Sequence, residues 1–132
     1  MSDFPRPAHV VITVSDLSVS VPFYEKLFGM KPAVFEDFGN FSHTVFVFPD
    51  GFIFSIHKFN DELAQPGPAS EFRQGLDHFA WLVPSRAALE EWGEKLDAMG
   101  IEHGKILDAS YGSGMAFRDP DNIQLEFFAA PE

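Results

Sequence analysis

An internal repeat constrains this chain more than any other feature. Displaced by 69 residues, His9 meets His78, Val14 meets Val83, Leu27 meets Leu96, Phe48 meets Phe117, Asp50 meets Asp119 and His57 meets Glu126. Self-similarity at a fixed period means one supersecondary unit used more than once, each copy leaving a face it does not bury alone. With 132 residues there is room for two copies of such a unit and no further domain.

Local patterns give the unit its content. His9 to Val14 is β-branched and apolar, Ser15 and Asp16 offer a cap, and Val19, Phe23 and Leu27 mark a helix stopped by Gly29. Residues 33–38, 43–48 and 52–58 then read as strands, the last two joined by the turn Pro49-Asp50-Gly51. Residues 60–75, interrupted by Pro66, Gly67 and Pro68, carry no apolar period and read as a connector. After it the order returns: strand 78–83, a helix opened by Pro84 and Ser85 with Leu89, Trp92, Leu96 and Met99, then strands 101–106, 114–118 and 123–128. The predicted fold class is α+β: two β-α-β-β-β modules, about 7–59 and 76–129, forming a cupped eight-stranded mixed sheet within one domain, 1–132.

Strand alternation separates His9, Val11 and Thr13 from Val10, Ile12 and Val14, and Ile53, Ser55 and His57 from Phe52, Phe54 and Ile56. The matching sets in the second module are His78, Ala80, Leu82 and Asn122, Gln124, Glu126. The more apolar faces should pack on the helices. The other faces carry three His, one Glu, Thr13, Ser55 and Gln124, and the last three are expected to contact substrate. Sheets paired about a pseudo-twofold axis would bring His9, His57, His78 and Glu126 to one point. That donor set suits a divalent transition metal, Fe(II), Zn, Ni, Co or Mn, rather than calcium.

Composition prunes the alternatives. There is no cysteine, so disulfides, thiolate metal sites and cysteine nucleophiles are out. A net charge of −11 repels phosphate backbones and anionic membranes, which argues against nucleic acid or membrane partners. No apolar run approaches the roughly 18 residues that span a bilayer, and Met1 to Pro7 has no leader pattern, so a cytoplasmic address is expected. Sixteen Phe exceed what a small core requires and point to an aromatic pocket as well.

The stretches HVVITVSDLSVSVPFYEKLFGM, GLDHFAWLV and FRDPDNIQLEFF resemble the vicinal oxygen chelate superfamily, the group of glyoxalases, bleomycin-resistance proteins and extradiol dioxygenases. The resemblance covers roughly residues 7 to 129. It implies that His9, His78 and Glu126 are metal ligands, while His57 stands where glyoxalases commonly have Glu and acyl-CoA epimerases have Gln. It also implies a metal with open positions for two neighbouring substrate oxygens, acting as Lewis acid and template. A homodimer is implied too, with the connector permitting exchange of modules between chains.

Three readings follow. In the first, the protein is a lyase or isomerase working through an enolate, with Glu126 leaving the metal to carry a proton. In the second, His9, His78 and Glu126 form a facial triad for Fe(II) in a dioxygenase, with His57 as acid or base. The third is a metal-free protein that sequesters a drug. Tyr111 and Ser113, before a central strand, are expected substrate contacts, whereas Tyr24 is read as packing and dimer surface, and His43 and His103 as surface or strand-edge residues.

Overall fold

The computed structural model describes residues 3–132, and the chain divides into two compact units, Met1–Gly67 and Pro68–Glu132. The first unit contains β1 (His9–Thr13), α1 (Leu17–Phe28), β2 (Val34–Asp37), β3 (Phe41–Val47) and β4 (Ile53–Phe59). Its strands form one mixed sheet in the order β1-β4-β3-β2, with β1 parallel to β4 and the remaining pairs antiparallel. The second unit repeats this with β5 (Phe79–Val83), α2 (Arg86–Ala98), β6 (Leu107–Ala109), β7 (Gly112–Arg118) and β8 (Gln124–Ala129), ordered β5-β8-β7-β6. The fold class is therefore α+β with two repeated β-α-β-β-β modules. The eight strands lie in two four-stranded mixed sheets, one per module. No helix among the described residues is long and apolar enough to cross a membrane.

Local chemistry sets the helix ends. The Asp16 carboxylate accepts from the Ser18 backbone N–H at 2.9 Å, satisfying a donor that the first turn leaves open. At the other end Gly29 adopts φ 66°, the left-handed conformation that closes a helix at least cost in glycine. In α2, Ser85 plays the capping part by accepting from the Ala88 N–H.

Each helix covers one face of its own sheet. In the first unit Tyr24 and Leu27 pack over Ile12, Val14, Phe46, Phe54 and Ile56, all buried. The Tyr24 ring lies 4.9 Å from Phe54 and 5.4 Å from Phe28. The buried stripe of α1 is thus Ser20, Tyr24 and Leu27, not the predicted Val19, Phe23 and Leu27; Val19 is half-exposed and Tyr24 belongs to the core. In the second unit Leu89 and Leu96 sit over Met115, Phe117, Leu125 and Phe127, and Trp92 stacks on Phe127 at 4.3 Å.

Two further expectations are corrected. The strand predicted over 101–106 is not formed; β6 begins at Leu107, and only His103 makes a bridge, to Phe117. The His103 ring is instead held between Asp97 and the Gly104 carbonyl, bonds that compete with a ladder.

The repeat also changes step. The first strands and helix starts correspond at 69, but Val47 pairs with Ile53 across one hairpin and Arg118 with Gln124 across the other, 47 to 118 and 53 to 124, an offset of 71. Gly29 and Gly100, both with positive φ, already stand 71 apart, so the two extra residues enter at the end of α2. The structural counterpart of Glu126 is therefore Ser55, and that of His57 is Phe128.

Phe54 is fully buried between Tyr24 and Phe28. Truncation to Ala should cost about 3–5 kcal/mol in urea unfolding, the range for a buried aromatic replaced by a cavity; a loss below about 1 kcal/mol would contradict this packing.

Candidate functional site

The face of each sheet turned away from its helix carries most of the candidate polar residues. In the second unit β8 is interior, and Glu126 lies directly between Ala80 of β5 and Ala116 of β7. Both neighbours are small, and diagonally across β7 is Gly114, where an added Cβ would stand 2.9 Å from Glu126 Cδ and 3.1 Å from each carboxylate oxygen. The missing side chain is what lets the carboxylate lie over β7.

His78 immediately precedes β5, two residues before Ala80, which places it diagonally from Glu126. Its Nε2 is 3.8 Å from Glu126 Oε2, while its Nδ1 is 2.8 Å from Asp77 Oδ1. Donors about 2.1 Å from one transition-metal ion stand at most about 4.2 Å apart, so this pair lies within reach of a common ion. The imidazole is substantially exposed and the carboxylate partly so. Among the described residues, no three His, Asp or Glu side chains form a metal-binding group.

Asp77 belongs to a longer chain of contacts. Gln124 Nε2 donates to Asp77 Oδ1 at 2.9 Å, and Gln124 Oε1 accepts from Arg118 Nη2 at 3.4 Å. Arg118 is clamped by Glu71 through two bonds of 2.6 and 3.0 Å. Those bonds hold the Glu71 carboxyl far down, at about 2, and raise the Arg118 guanidinium.

Beside Glu126 lies a cavity of about 220 Å³ within the second unit, with Lys105, Leu107, Tyr111, Ala116 and Phe128 on its walls. Tyr111 stacks on Phe128 at 6.1 Å with the rings 17° apart. Glycines 104, 112 and 114 and alanines 109 and 116 leave the space open.

The first unit is arranged differently. His9 pairs with Ile53 and His57 with Thr13, so the two histidines share a face but stand four residues apart along it, about 13 Å. They do not converge, and the physical reason is the two-residue change of step. His57 instead meets His43, rings 5.2 Å apart, and stacks on Phe41 at 4.7 Å. Burial, and next the neighbouring His43, push the His57 imidazole below its ordinary value. His43 itself lies 2.7 Å from Glu36 Oε1, at the ring cluster rather than at an isolated strand edge.

The expected substrate contacts divide accordingly. Tyr111 faces the cavity. Ser113 does not: it lies on the helix side of β7, and its hydroxyl donates to Asp108 at 2.6 Å, the same carboxylate that Arg86 grips. Those bonds, first from Arg86 and next from Ser113, depress Asp108 to about 2. Ser55 is buried and donates weakly to the Thr44 carbonyl at 3.4 Å, Thr13 is exposed opposite His57, and Gln124 is spent on Arg118 and Asp77. Asp77, Glu71 and Arg118 were not singled out by residue pattern; the acidic residue next to His78 in GLDHF was the available signal.

This geometry can be tested at three residues. Gly114→Ala should fold with less than about 1 kcal/mol change yet show a displaced Glu126 carboxylate in its crystal structure; Gly112→Ala should be much less stable, since φ is 147° and the new Cβ would meet Phe128 and stand 2.5 Å from the Ala129 carbonyl oxygen. A carboxylate unmoved by Gly114→Ala would contradict the first. For Glu71, a folded-state value depressed from 4.5 to about 2 contributes stability that is complete above pH 4.5 and lost as pH falls through about 2. Glu71→Gln should therefore flatten acid unfolding in that window, as measured by urea midpoints at each pH; an unchanged slope would deny the ion pair any effect on stability.

The protein has relatives of known structure. It superposes on a glyoxylase/bleomycin resistance protein/dioxygenase domain from Frankia sp. EAN1pec with TM-score 0.86 and 28% identity, covering 98% of this chain and 100% of that one. Lactoylglutathione lyase from Agrobacterium tumefaciens shares the fold with TM-score 0.70 and 15% identity over 97% and 96% of the two chains. A variant of the fosfomycin resistance protein FosX from Listeria monocytogenes, complexed with Mn(II) and 1S,2S-dihydroxypropylphosphonic acid, does so with TM-score 0.68 and 20% identity over 94% and 91%. No curated protein sequence matches the chain. The sequence profile of the Glyoxalase/Bleomycin resistance protein/Dioxygenase superfamily matches residues 6–127, and the chain belongs to that superfamily.

Proposed function

We propose that this protein is a divalent-metal-dependent lyase or isomerase acting on a small substrate with vicinal oxygens, with His78 and Glu126 as metal ligands. The observation that carries the reading is the pair of donors in the second unit: His78 Nε2 faces Glu126 Oε2 at 3.8 Å, with Nδ1 occupied by Asp77. A neutral imidazole with its other nitrogen tied to a carboxylate is the usual form of a metal-binding histidine. His57, stacked on Phe41 and packed against His43, is left out of the ligand set. A protein of the same fold is complexed with Mn(II) and a diol, which agrees with this reading.

The metal, when bound, supplies Lewis acidity to a substrate carbonyl and lowers the cost of removing a proton beside it. The chain provides the rest. Glu126 has open space over Gly114 and between two alanines, so its carboxylate can turn to accept the proton from the hydroxyl-bearing carbon beside the carbonyl and deliver it to the former carbonyl carbon, while the hydroxyl proton passes to the old carbonyl oxygen and the new carbonyl forms. The cavity of about 220 Å³ beside it accommodates a small body, with Tyr111 and Phe128 offering ring faces and Lys105 a positive charge.

The test is metal content after anaerobic purification and after reloading, followed by proton-exchange and oxygen-uptake assays. One equivalent of metal should be found in the native protein, and His78→Ala and Glu126→Gln should each lose most of it. Proton-exchange activity should fall by about 10²-fold or more in Glu126→Gln. Oxygen consumption with catechols would overturn the lyase or isomerase reading for a dioxygenase, and ligand binding with no metal after reloading would leave a sequestering protein.

A further inference from the structure

The side chain of Asp77 accounts for more than the position of one loop. Its Oδ1 meets two partners, His78 Nδ1 at 2.8 Å and Gln124 Nε2 at 2.9 Å, and the Asp77 backbone carbonyl takes a second, longer bond of 3.3 Å from the same amide. Gln124 is the first residue of β8 and is held from its other side by Arg118, which Glu71 fixes bidentately. An ionised carboxylate has no proton to give, so a neutral His78 bonded to it must carry its hydrogen on Nδ1. The lone pair is then on Nε2, the nitrogen 3.8 Å from Glu126.

We infer that Asp77 is a positioning residue: it fixes the Nδ1–H tautomer of His78 and so presents a bare Nε2 beside Glu126 to a divalent cation, with Gln124 holding Asp77 in place. This rests on the metal reading proposed above for its purpose, but not for its structural content, since the tautomer is defined without metal. The arrangement is particular to the second module. The residue preceding His9 is Ala8, which has no side-chain acceptor to offer. Gln124 accordingly acts on the site through Asp77 rather than on substrate.

Two measurements test it. Long-range ¹H–¹⁵N correlation spectra of the metal-free protein, at alkaline pH where imidazoles are neutral, should show His78 as the Nδ1–H tautomer, and Asp77→Ala should shift it toward Nε2–H. Titration with Co(II), followed by its visible absorption, should show affinity about 10- to 100-fold weaker in Asp77→Ala. Asp77→Asn, whose amide oxygen accepts the same bond, should recover most of that loss. A native tautomer together with native Co(II) affinity in Asp77→Ala would overturn the inference. If Asp77→Ala does not fold, Gln124→Ala serves instead: it should weaken Co(II) several-fold, and unchanged affinity overturns the inference. Wild-type protein that binds no Co(II) overturns the metal reading, while the tautomer spectra still decide the role of Asp77.

Discussion

Parallel pairing of the first and last strands of each unit is the constraint on which the remaining structure depends. Because β4 pairs with both β1 and β3, and β8 with both β5 and β7, the last strand of each unit is interior to its sheet. A side chain on the open face of such a strand has neighbours on both sides, so its surroundings are set by register and not by loops. Glu126 has alanines on both sides, which leaves a carboxylate with room to move. His57 has Thr13 on one side and His43 on the other, and it is crowded into an aromatic cluster. The open face of the last strand thus carries a chemically available group in one unit and a packed one in the other.

The electrostatics of the second unit reinforce this difference. With a net charge of −11 the chain has few cations, and both arginines that face its second sheet are committed, Arg118 to Glu71 and Arg86 to Asp108. Their consequence is rigidity around β7 and β8 rather than positive potential. Arg118 holds Gln124, and Gln124 holds Asp77, so the carboxylate beside His78 is restrained from behind by neutral and paired groups. A free cation at that point would compete with a metal ion; a paired one does not.

Much of this fold was legible in the sequence because it is written in short-range chemistry. Asp16 and Gly29 bracket α1, Ser85 opens α2, and the Pro-Asp pairs at 49–50 and 120–121 mark the hairpins, each through a bond or a dihedral preference that needs no tertiary context. What was not legible depended on the opposing surface. Tyr24 rather than Phe23 turns inward because the sheet offers it Phe54, and residues 101–106 lose their strand because His103 finds side-chain and carbonyl partners. His78 and Glu126 were found from the repeat and prove to be neighbours, whereas Asp77 has no repeat partner and could be recognised only from its contacts.

The position of His57 shows how a repeat can bring two residues together by an argument that misjudges their depth on the sheet. A strand has a period of two, so the two residues added at the end of α2 return every later side chain to the same face and disturb no apolar pattern. One added residue would have sent the polar set toward the helix and been visible at once. Two leave the alternation intact while moving the counterpart of Glu126 about 7 Å along β4, from His57 to Ser55. Equal spacing of 48 residues between His9 and His57 and between His78 and Glu126 is therefore no measure of equal depth on the sheet. Depth is set by the Cα register, and that register sets His78 beside Glu126 but leaves His9 and His57 apart.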